Sequence, residues 1–339
     1  MPIKIAINGY GRIGRCILRA IYENELQNKF QIVAINDLGD PDVNVYLTKY
    51  DSTHGLFKKS ISFSKEKMLI DGKYEIEVIR QRDPKLLPWK KIGVDIVFEC
   101  TGLFTSKKKS LQHIASGASK VLISAPSGKD VDATVVYGVN EDVLRPNMQV
   151  VSNASCTTNC LAIISKILNE KIGLVDGLMT TIHSYTNDQV LVDTYHSDLR
   201  RSRAAGYNMI PTKTGAASSL GLVLPELDGR LDGFAIRVPT MNVSVVDLTF
   251  NSENSTSIEE VNNTVLLASK KEKFRNILGY NVTPLVSSDF NHNSKPSVFD
   301  ATQTRVVGHT LVKVLSWYDN EWGFANQMLR TTEAWFLSV

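Results

Sequence analysis

At 339 residues, the chain is long enough for two domains, each with a large buried core. Hydrophobic residues make up 43% and charged residues 22%, the balance expected of a soluble globular protein, and no apolar run is long enough to span a bilayer. A formal net charge of +3 is too small to argue for a nucleic-acid or membrane partner, and the short runs Lys107-Lys108-Lys109 and Lys270-Lys271 read as solvated helix faces.

In chain order, Ile3 to Asn8 is a near-continuous apolar strand of the kind found in a parallel sheet covered on both faces. Gly9-Tyr10-Gly11-Arg12-Ile13-Gly14-Arg15 follows, then a helical pattern from Cys16 to Tyr22, and a second strand, Phe30 to Ile35, ending at Asn36-Asp37. Gly9, Gly11 and Gly14 match G-x-G-x-x-G: the first for a tight turn, the second for close approach of a pyrophosphate, the third for packing helix on strand. The pyrophosphate would sit at the helix N-terminus. With a strand before, a helix after and Asp37 about 20 residues further on, the pattern predicts a dinucleotide site. A carboxylate at Asp37 accepts from both ribose hydroxyls and repels a 2′-phosphate, so the cofactor is read as NAD rather than NADP.

The sheet continues with Val94 to Cys100, ending at Thr101-Gly102, and with Lys120 to Ser124. Ligands of open α/β sheets lie outside the carboxyl ends of the strands, which places Asp37, Thr101 and Ser124 along one crevice, although each also reads as a strand-end turn residue.

Gln149 to Val151 is a short buried strand leading into Ser152-Asn153-Ala154-Ser155-Cys156-Thr157-Thr158-Asn159-Cys160, after which Leu161, Ile163, Ile164, Ile167 and Leu168 recur at helical spacing. The polar run is rich in N-cap residues, so Cys156 is predicted in the first turn of a helix, at the edge of the cofactor crevice. Free backbone N–H groups there favour a thiolate and can hold an oxyanion. A lone cysteine is also readable as a buried structural residue, so a partner base must decide. Four cysteines in this length are not a disulfide framework, and the i, i+4 pair Cys156/Cys160 has no second Cys/His pair nearby, so no metal is expected. With no basic n-region ahead of an apolar core, a cytoplasmic location is expected.

Beyond Cys156, Leu178 to His183 reads as a strand, and Asn187 to Gly206 as a long polar loop carrying Arg200, Arg201 and Arg203, long enough to be functional. Phe234 to Val238 and Val243 to Phe250 alternate like antiparallel strands; Lys313 to Tyr318 is a last strand and Phe324 to Phe336 a helix. Of the six histidines, His183 ends a strand before Ser184-Tyr185-Thr186, which points it towards a site rather than a core. A Cys–His pair supplies nucleophile and general base; beside a nicotinamide it suggests addition of the thiolate to an aldehyde, hydride loss and a thioester. Thr186, Arg203, Thr214 and Arg237 add hydroxyl and cationic groups suited to phosphates.

From end to end the chain resembles the phosphorylating, NAD-dependent glyceraldehyde-3-phosphate dehydrogenases of bacteria. The resemblance rests on Ile7 to Arg15, Lys49 to Gly55, Ala154 to Cys160, His183 to Thr186, Arg237 to Thr240 and Trp317 to Gly323. It implies an α/β fold with a Rossmann-type NAD-binding domain over 1–155, joined by a C-terminal helix over 322–339, and an α+β catalytic domain with a mixed, largely antiparallel sheet over 156–321. It implies Cys156 as nucleophile and His183 as base. Thr186 and Arg237 would hold the substrate phosphate, and Ser155, Thr157, Arg203, Thr214 and Gly215 would complete the substrate and inorganic-phosphate sites. Gly9, Gly11, Arg12, Ile13, Asp37, Arg82, Ser124 and Asn320 would contact NAD. The implied partners are glyceraldehyde 3-phosphate, inorganic phosphate and three further copies of the chain.

Two features depart from the pattern. Thr194-Tyr195 stands where many bacterial members carry Leu-Pro, a pair that helps exclude NADP. Asp193 to His196 and Thr302 to Val306 resemble the related erythrose-4-phosphate dehydrogenases, whereas Thr186 and Ile210 to Ala217 keep the phosphorylating pattern. Readings from other classes are a Cys–His hydrolase holding NAD structurally, separated by turnover without NAD, and an idle NAD sensor, against which the intact Cys156 and His183 argue.

Overall fold

The N-terminal strand is Ile3–Asn8, with Ile5, Ala6 and Ile7 fully buried. In the computed structural model, which describes residues 1–338, it lies inside a nine-stranded sheet. On one side Phe30–Asn36 and then Tyr74–Ile79 pair in parallel; on the other Ile96–Glu99, Lys120–Ile123, Val150–Ser152 and Ala133–Thr134 follow, also in parallel. Near-continuous apolar runs suit these strands because both faces are covered. Helix Arg12–Glu23 buries Ile17, Leu18, Ala20 and Ile21, and Trp89 packs among Ala6, Ala34, Val97, Val121 and Val150. Each such fully buried large apolar side chain contributes about 1.5–3 kcal/mol of transfer free energy.

A hairpin, Ile61–Ser64 with Lys67–Ile70, forms the antiparallel edge of this sheet. The sequence reading missed it for a physical reason. Its turn residues Lys65 and Glu66 take φ of 51° and 61°, a conformation ordinarily announced by Asn-Gly. The sheet belongs to a compact unit of residues 1–135, 141–154 and 325–339. Within that unit the closing helix Trp322–Leu337 contributes Thr331, whose Oγ1 donates to Asn153 Oδ1 at 2.7 Å, and Trp335, whose Nε1 donates to the Arg145 carbonyl at 3.1 Å.

The second compact unit, residues 136–140 and 155–324, is built on an eight-stranded mixed sheet. Leu174–Ser184 pairs in parallel with Leu231–Val238, which pairs antiparallel with Ile210–Lys213. On its other side come Ser244–Ser252 and Leu311–Tyr318, both antiparallel to their neighbours. The alternating segments around Phe234 and Val245 therefore do not pair with each other; they flank Leu174–Ser184, and only the second is antiparallel to it. Alternation reports a half-buried strand and is silent on partner and direction. Met179, Thr181 and His183 fall on the buried face of Leu174–Ser184 with period two. Helix Cys156–Ile172 buries Leu161, Ile163, Ile164, Ile167 and Leu168, and Cys160 on it bonds to Ser297 and the Ser316 carbonyl of two sheet strands. No helix among the described residues is long and apolar enough to cross a membrane.

Candidate active site

A cavity of about 380 Å³ in the first unit opens at the carboxyl ends of its parallel strands, lined by Gly9, Gly11, Asp37, Arg82, Thr101 and neighbouring residues. Gly9 takes φ +91°, and a Cβ on it would lie 2.7 Å from Thr101 N; one on Gly14 would lie 2.6 Å from the Gly9 carbonyl oxygen. Both positions therefore require glycine to close the turn on the helix. Gly11 differs: nothing lies within 4 Å of where its Cβ would be. It is the N-cap of Arg12–Glu23 and provides no side-chain bond there, so the space in front of the helix N-terminus is open beside it. That is the arrangement a pyrophosphate needs, and the residues fit a dinucleotide.

Asp37 accepts from Tyr10 N and Gly39 N, each at 2.8 Å, which ties the end of the second strand to the glycine turn. Arg12 and Ile13 are the first two residues of the helix, and the Arg12 guanidinium is paired with Asp51. Burial alone would raise Asp51, but Arg12 and the N–H groups of His54 and Thr53 outweigh it and bring the carboxyl to about 2. Ser124 follows the strand Lys120–Ile123 and hydrogen-bonds Cys100, a residue of the cavity wall.

In the second unit Cys156 is the first residue of helix Cys156–Ile172, and Ser155 is its N-cap, with Oγ accepting from Thr158 N at 3.0 Å. Ala154, just before, takes φ +56°, a left-handed conformation that costs a β-carbon-bearing residue about 1–3 kcal/mol and is commonest at functional sites. Cys156 Sγ lies 3.6 Å from His183 Nε2. Strand register sets His183 beside Arg237, and Arg237 Nη1 lies 2.7 Å from His183 Nδ1 and donates to the Ser184 carbonyl at 3.0 Å. His183 Nδ1 is also 2.7 Å from that carbonyl. Arg237 Nε is buried without a hydrogen-bond partner, an open position for an anion.

Burial pushes the Cys156 thiol up; Arg237 and the hydroxyl and N–H of Thr157 pull the other way. Burial, then Arg237, pushes His183 down to about 3, which keeps its imidazole neutral and able to accept a proton at neutral pH. Cys160, one helical turn further on, is driven by burial to about 12.

The remaining predicted residues are not all gathered at this pair. Thr157 Oγ1 is engaged with Tyr318 OH at 2.8 Å, so its hydroxyl and its backbone N–H both serve the Cys156 side of the site while Tyr318 holds the hydroxyl in place. Thr214 Oγ1 accepts from Ala216 N at 3.2 Å, and Gly215 is the uncapped N-cap of helix Ala216–Val223. Thr186 opens a turn closed by Gln189, whose Nε2 is buried without a partner. Asn320 Oδ1 accepts from Ser184 Oγ at 2.9 Å and Ser244 Oγ at 3.0 Å, which fixes the orientation of its amide. Arg203 is paired with Asp193 at 2.6 Å on an exposed loop, and no hydrogen bond among the described residues joins it to Cys156, His183 or Arg237. Arg201 is the loop cation whose charge bears on His183 and Arg237; it is held by Asp188 and Thr212. A cavity of about 1360 Å³ lies around Arg201, His196 and Phe234 and touches neither Cys156 nor His183.

Tyr318 was missed from the sequence. Its hydroxyl joins Thr157 Oγ1 to Thr181 Oγ1, at 2.8 and 2.7 Å, and its ring stands edge-on to His183 with centroids 5.9 Å apart. The signal was there: Val312, Val314, Ser316 and Tyr318 recur with period two on the buried face of the last strand.

Two family profiles match the chain, one described as the NAD binding domain of glyceraldehyde 3-phosphate dehydrogenase over residues 3–107, the other as its C-terminal domain over 155–320. The chain belongs to the glyceraldehyde-3-phosphate dehydrogenase family. A chromosomal glyceraldehyde-3-phosphate dehydrogenase of Cupriavidus necator is 61% identical over 98% of both chains, and the enzymes of Pseudomonas aeruginosa and Zymomonas mobilis are 57% and 51% identical over 97% and 98% of both chains. As a glyceraldehyde-3-phosphate dehydrogenase family member, the chain is an NAD-dependent oxidoreductase, and the glycine-turn cavity lies within its NAD-binding domain.

Proposed function

We propose that the chain oxidises glyceraldehyde 3-phosphate to 1,3-bisphosphoglycerate with NAD and inorganic phosphate, through a thioester on Cys156. The observation that carries this reading is the helix-N-terminal Cys156 at 3.6 Å from a neutral, buried His183, with Arg237 alongside. With Nδ1–H and Arg237 Nη1–H both donating to the Ser184 carbonyl rather than to each other, His183 Nε2 takes the thiol proton as sulfur attacks the aldehyde carbon. The N–H groups of the first helical turn hold the resulting hemithioacetal oxyanion. His183 returns that proton to the oxyanion to give the hemithioacetal hydroxyl and takes it again at Nε2 as the C–H electron pair leaves and the thioester forms; NAD, when bound, would supply the acceptor for the hydride. Phosphate cleaves the thioester and frees the thiolate.

In this reading Arg237 and Thr186 hold the substrate phosphate, with Arg237 Nε–H as the open donor. Ser155, Arg203, Thr214 and Gly215 receive the attacking phosphate, which requires Arg203 to leave Asp193. Gly9, Gly11, Arg12, Ile13, Asp37, Arg82 and Ser124 serve the dinucleotide, and Asn320 its carboxamide. Leu191, Val192, Tyr195, Leu199 and Tyr207 are 71–91% exposed, a run of apolar groups that supports burial against further copies of the chain in a homotetramer. Four free cysteines suit the reducing cytoplasm. The test is NADH formation from glyceraldehyde 3-phosphate with phosphate present and absent. Steady turnover indifferent to phosphate, with erythrose 4-phosphate the better substrate, would move the chain to the erythrose-4-phosphate reading.

A further inference from the structure

One wall of the NAD cavity continues into a chain of buried polar side chains that the proposed chemistry does not use. Trp89 Nε1 donates to His113 Nδ1 at 3.0 Å, and His113 Nε2 lies 3.1 Å from Glu99 Oε2. Asn8 Nδ2 donates to the same oxygen at 2.6 Å, and Asn36 Nδ2 donates to Asn8 Oδ1 at 2.7 Å. Asn36 also exchanges hydrogen bonds with the backbone of Gln81, both at 2.9 Å. Thr101 donates to Glu99 Oε1 from its N–H, at 2.8 Å, and from its hydroxyl. Trp89, Glu99 and His113 are at most 1% exposed, Asn8 2% and Asn36 5%.

The polarity of this chain is fixed by one residue. An indole N–H only donates, so His113 Nδ1 is an acceptor, His113 is the Nε2–H tautomer, and Nε2 must donate to Glu99. The 3.4 Å approach of Asn8 Nδ2 to His113 Nε2 is then two donors converging on one oxygen, not a bond between them. The donations between side chains all run towards Glu99, from Asn36 through Asn8, from Trp89 through His113 and from Thr101, while the other Asn36 N–H goes to the Gln81 carbonyl. No cation takes part in these bonds. Asn8, Asn36, Gln81 and Thr101 themselves line the cavity, and Glu99 directly precedes the lining residue Cys100.

We propose that Glu99 is a positioning residue for NAD: its carboxylate gathers the donors that hold the three strand ends and the Gln81–Arg82 segment in the geometry the dinucleotide needs. The role rests on the cavity being the NAD site. A buried network with uniform proton direction has one arrangement that satisfies all its members, and the carboxylate is the group that makes it possible. Glu99→Gln keeps the shape but aims an NH₂ at donors on either side, leaving at least one of them unpaired.

The test is calorimetric titration of purified, nucleotide-free enzyme with NAD and with ADP-ribose, alongside steady-state kinetics. Glu99→Gln should raise Kd for both ligands about tenfold or more, with kcat at saturating NAD and KM for the aldehyde within about twofold of wild type. Trp89→Phe removes only the donor that sets the His113 tautomer and should raise both Kd values in the same direction by roughly threefold. Unchanged Kd values in folded variants, or a fall in kcat with Kd unchanged, would overturn the role. Where Glu99→Gln does not fold, Trp89→Phe decides: unchanged affinity for ADP-ribose overturns it. A wild-type chain that binds neither ligand would overturn the assignment of the cavity together with the role, so the two failures are told apart.

Discussion

Arg237→Leu should damage the site in two separable ways. The guanidinium already donates from Nη1 to the Ser184 carbonyl, while Nε is buried and unpartnered, so at least one N–H remains for the substrate phosphate. A hydrogen bond between charged groups is worth about 1.5–3 kcal/mol, and 1.4 kcal/mol is tenfold in rate, so losing that contact alone lowers kcat/KM for glyceraldehyde 3-phosphate roughly 10- to 150-fold. Unphosphorylated glyceraldehyde never made the contact and should lose far less. The second effect is electrostatic. Arg237 holds both Cys156 and His183 down, so without it the thiol rises further and His183 climbs from about 3 towards its ordinary range. The acid limb of the kcat/KM profile, which reports the base of the free enzyme, therefore moves to higher pH. Initial rates with both aldehydes across the pH range read both effects. Equal losses for the two aldehydes, with a stationary acid limb, would refute the placement of Arg237 beside the reacting pair and the phosphate.

Cys156→Ser should abolish turnover and leave NAD affinity unchanged, since a hydroxyl of far higher pKa gives no nucleophile at neutral pH; retained turnover in a coupled assay would remove Cys156 from its role. His183→Asn should slow the NADH burst by about two to four orders of magnitude and also slow iodoacetamide alkylation of Cys156, because Asn cannot take the thiol proton; an unaltered burst in stopped flow would make His183 structural. Asp37→Ala should weaken NAD about tenfold and improve NADP, by loss of ribose hydrogen bonds and relief of charge repulsion, and a wild type that already uses both equally would give Thr194-Tyr195 the greater weight. The folded His183 pKa lies below its unfolded value near 6.5, so its stabilisation is complete above that pH and is lost as pH falls from about 6.5 towards 3. Melting temperature should fall through that window, and His183→Asn should flatten the fall; an identical slope would contradict the neutral buried imidazole.

The features legible in sequence are those set by local chemistry. The glycine turn was readable because Gly9 and Gly14 leave no space for a Cβ, and the place of Cys156 in a first helical turn because Ser155 announces a helix cap. His183 and Arg237 were readable only singly: they sit 54 positions apart, and a parallel strand pairing makes them neighbours. The hairpin around Lys65 was hidden by a turn made without Asn or Gly. The Trp89–His113–Glu99 chain was hidden because its members sit on three separate elements, and a single His or Glu in sequence carries no sign of a buried partner. Arg203 shows the opposite limit: pattern gives it a phosphate, but as folded here its side chain is closed on Asp193.

Cys156 and Cys160 show how position on one helix sets two thiols apart. Both thiols are on helix Cys156–Ile172, and burial raises both. Cys160 is fully buried one turn inside the helix, where backbone N–H groups are already taken by the i−4 carbonyls, and its thiol contacts Ser297 and the Ser316 carbonyl. Cys156 is at the N-terminus, where first-turn N–H groups have no intrahelical partner and the dipole is positive. The Arg237 charge and the Thr157 N–H act on the same sulfur, and a neutral imidazole stands 3.6 Å away. A four-residue shift removes all three influences together. Alkylation of the native protein should therefore label Cys156 and spare Cys160 until the helix unfolds.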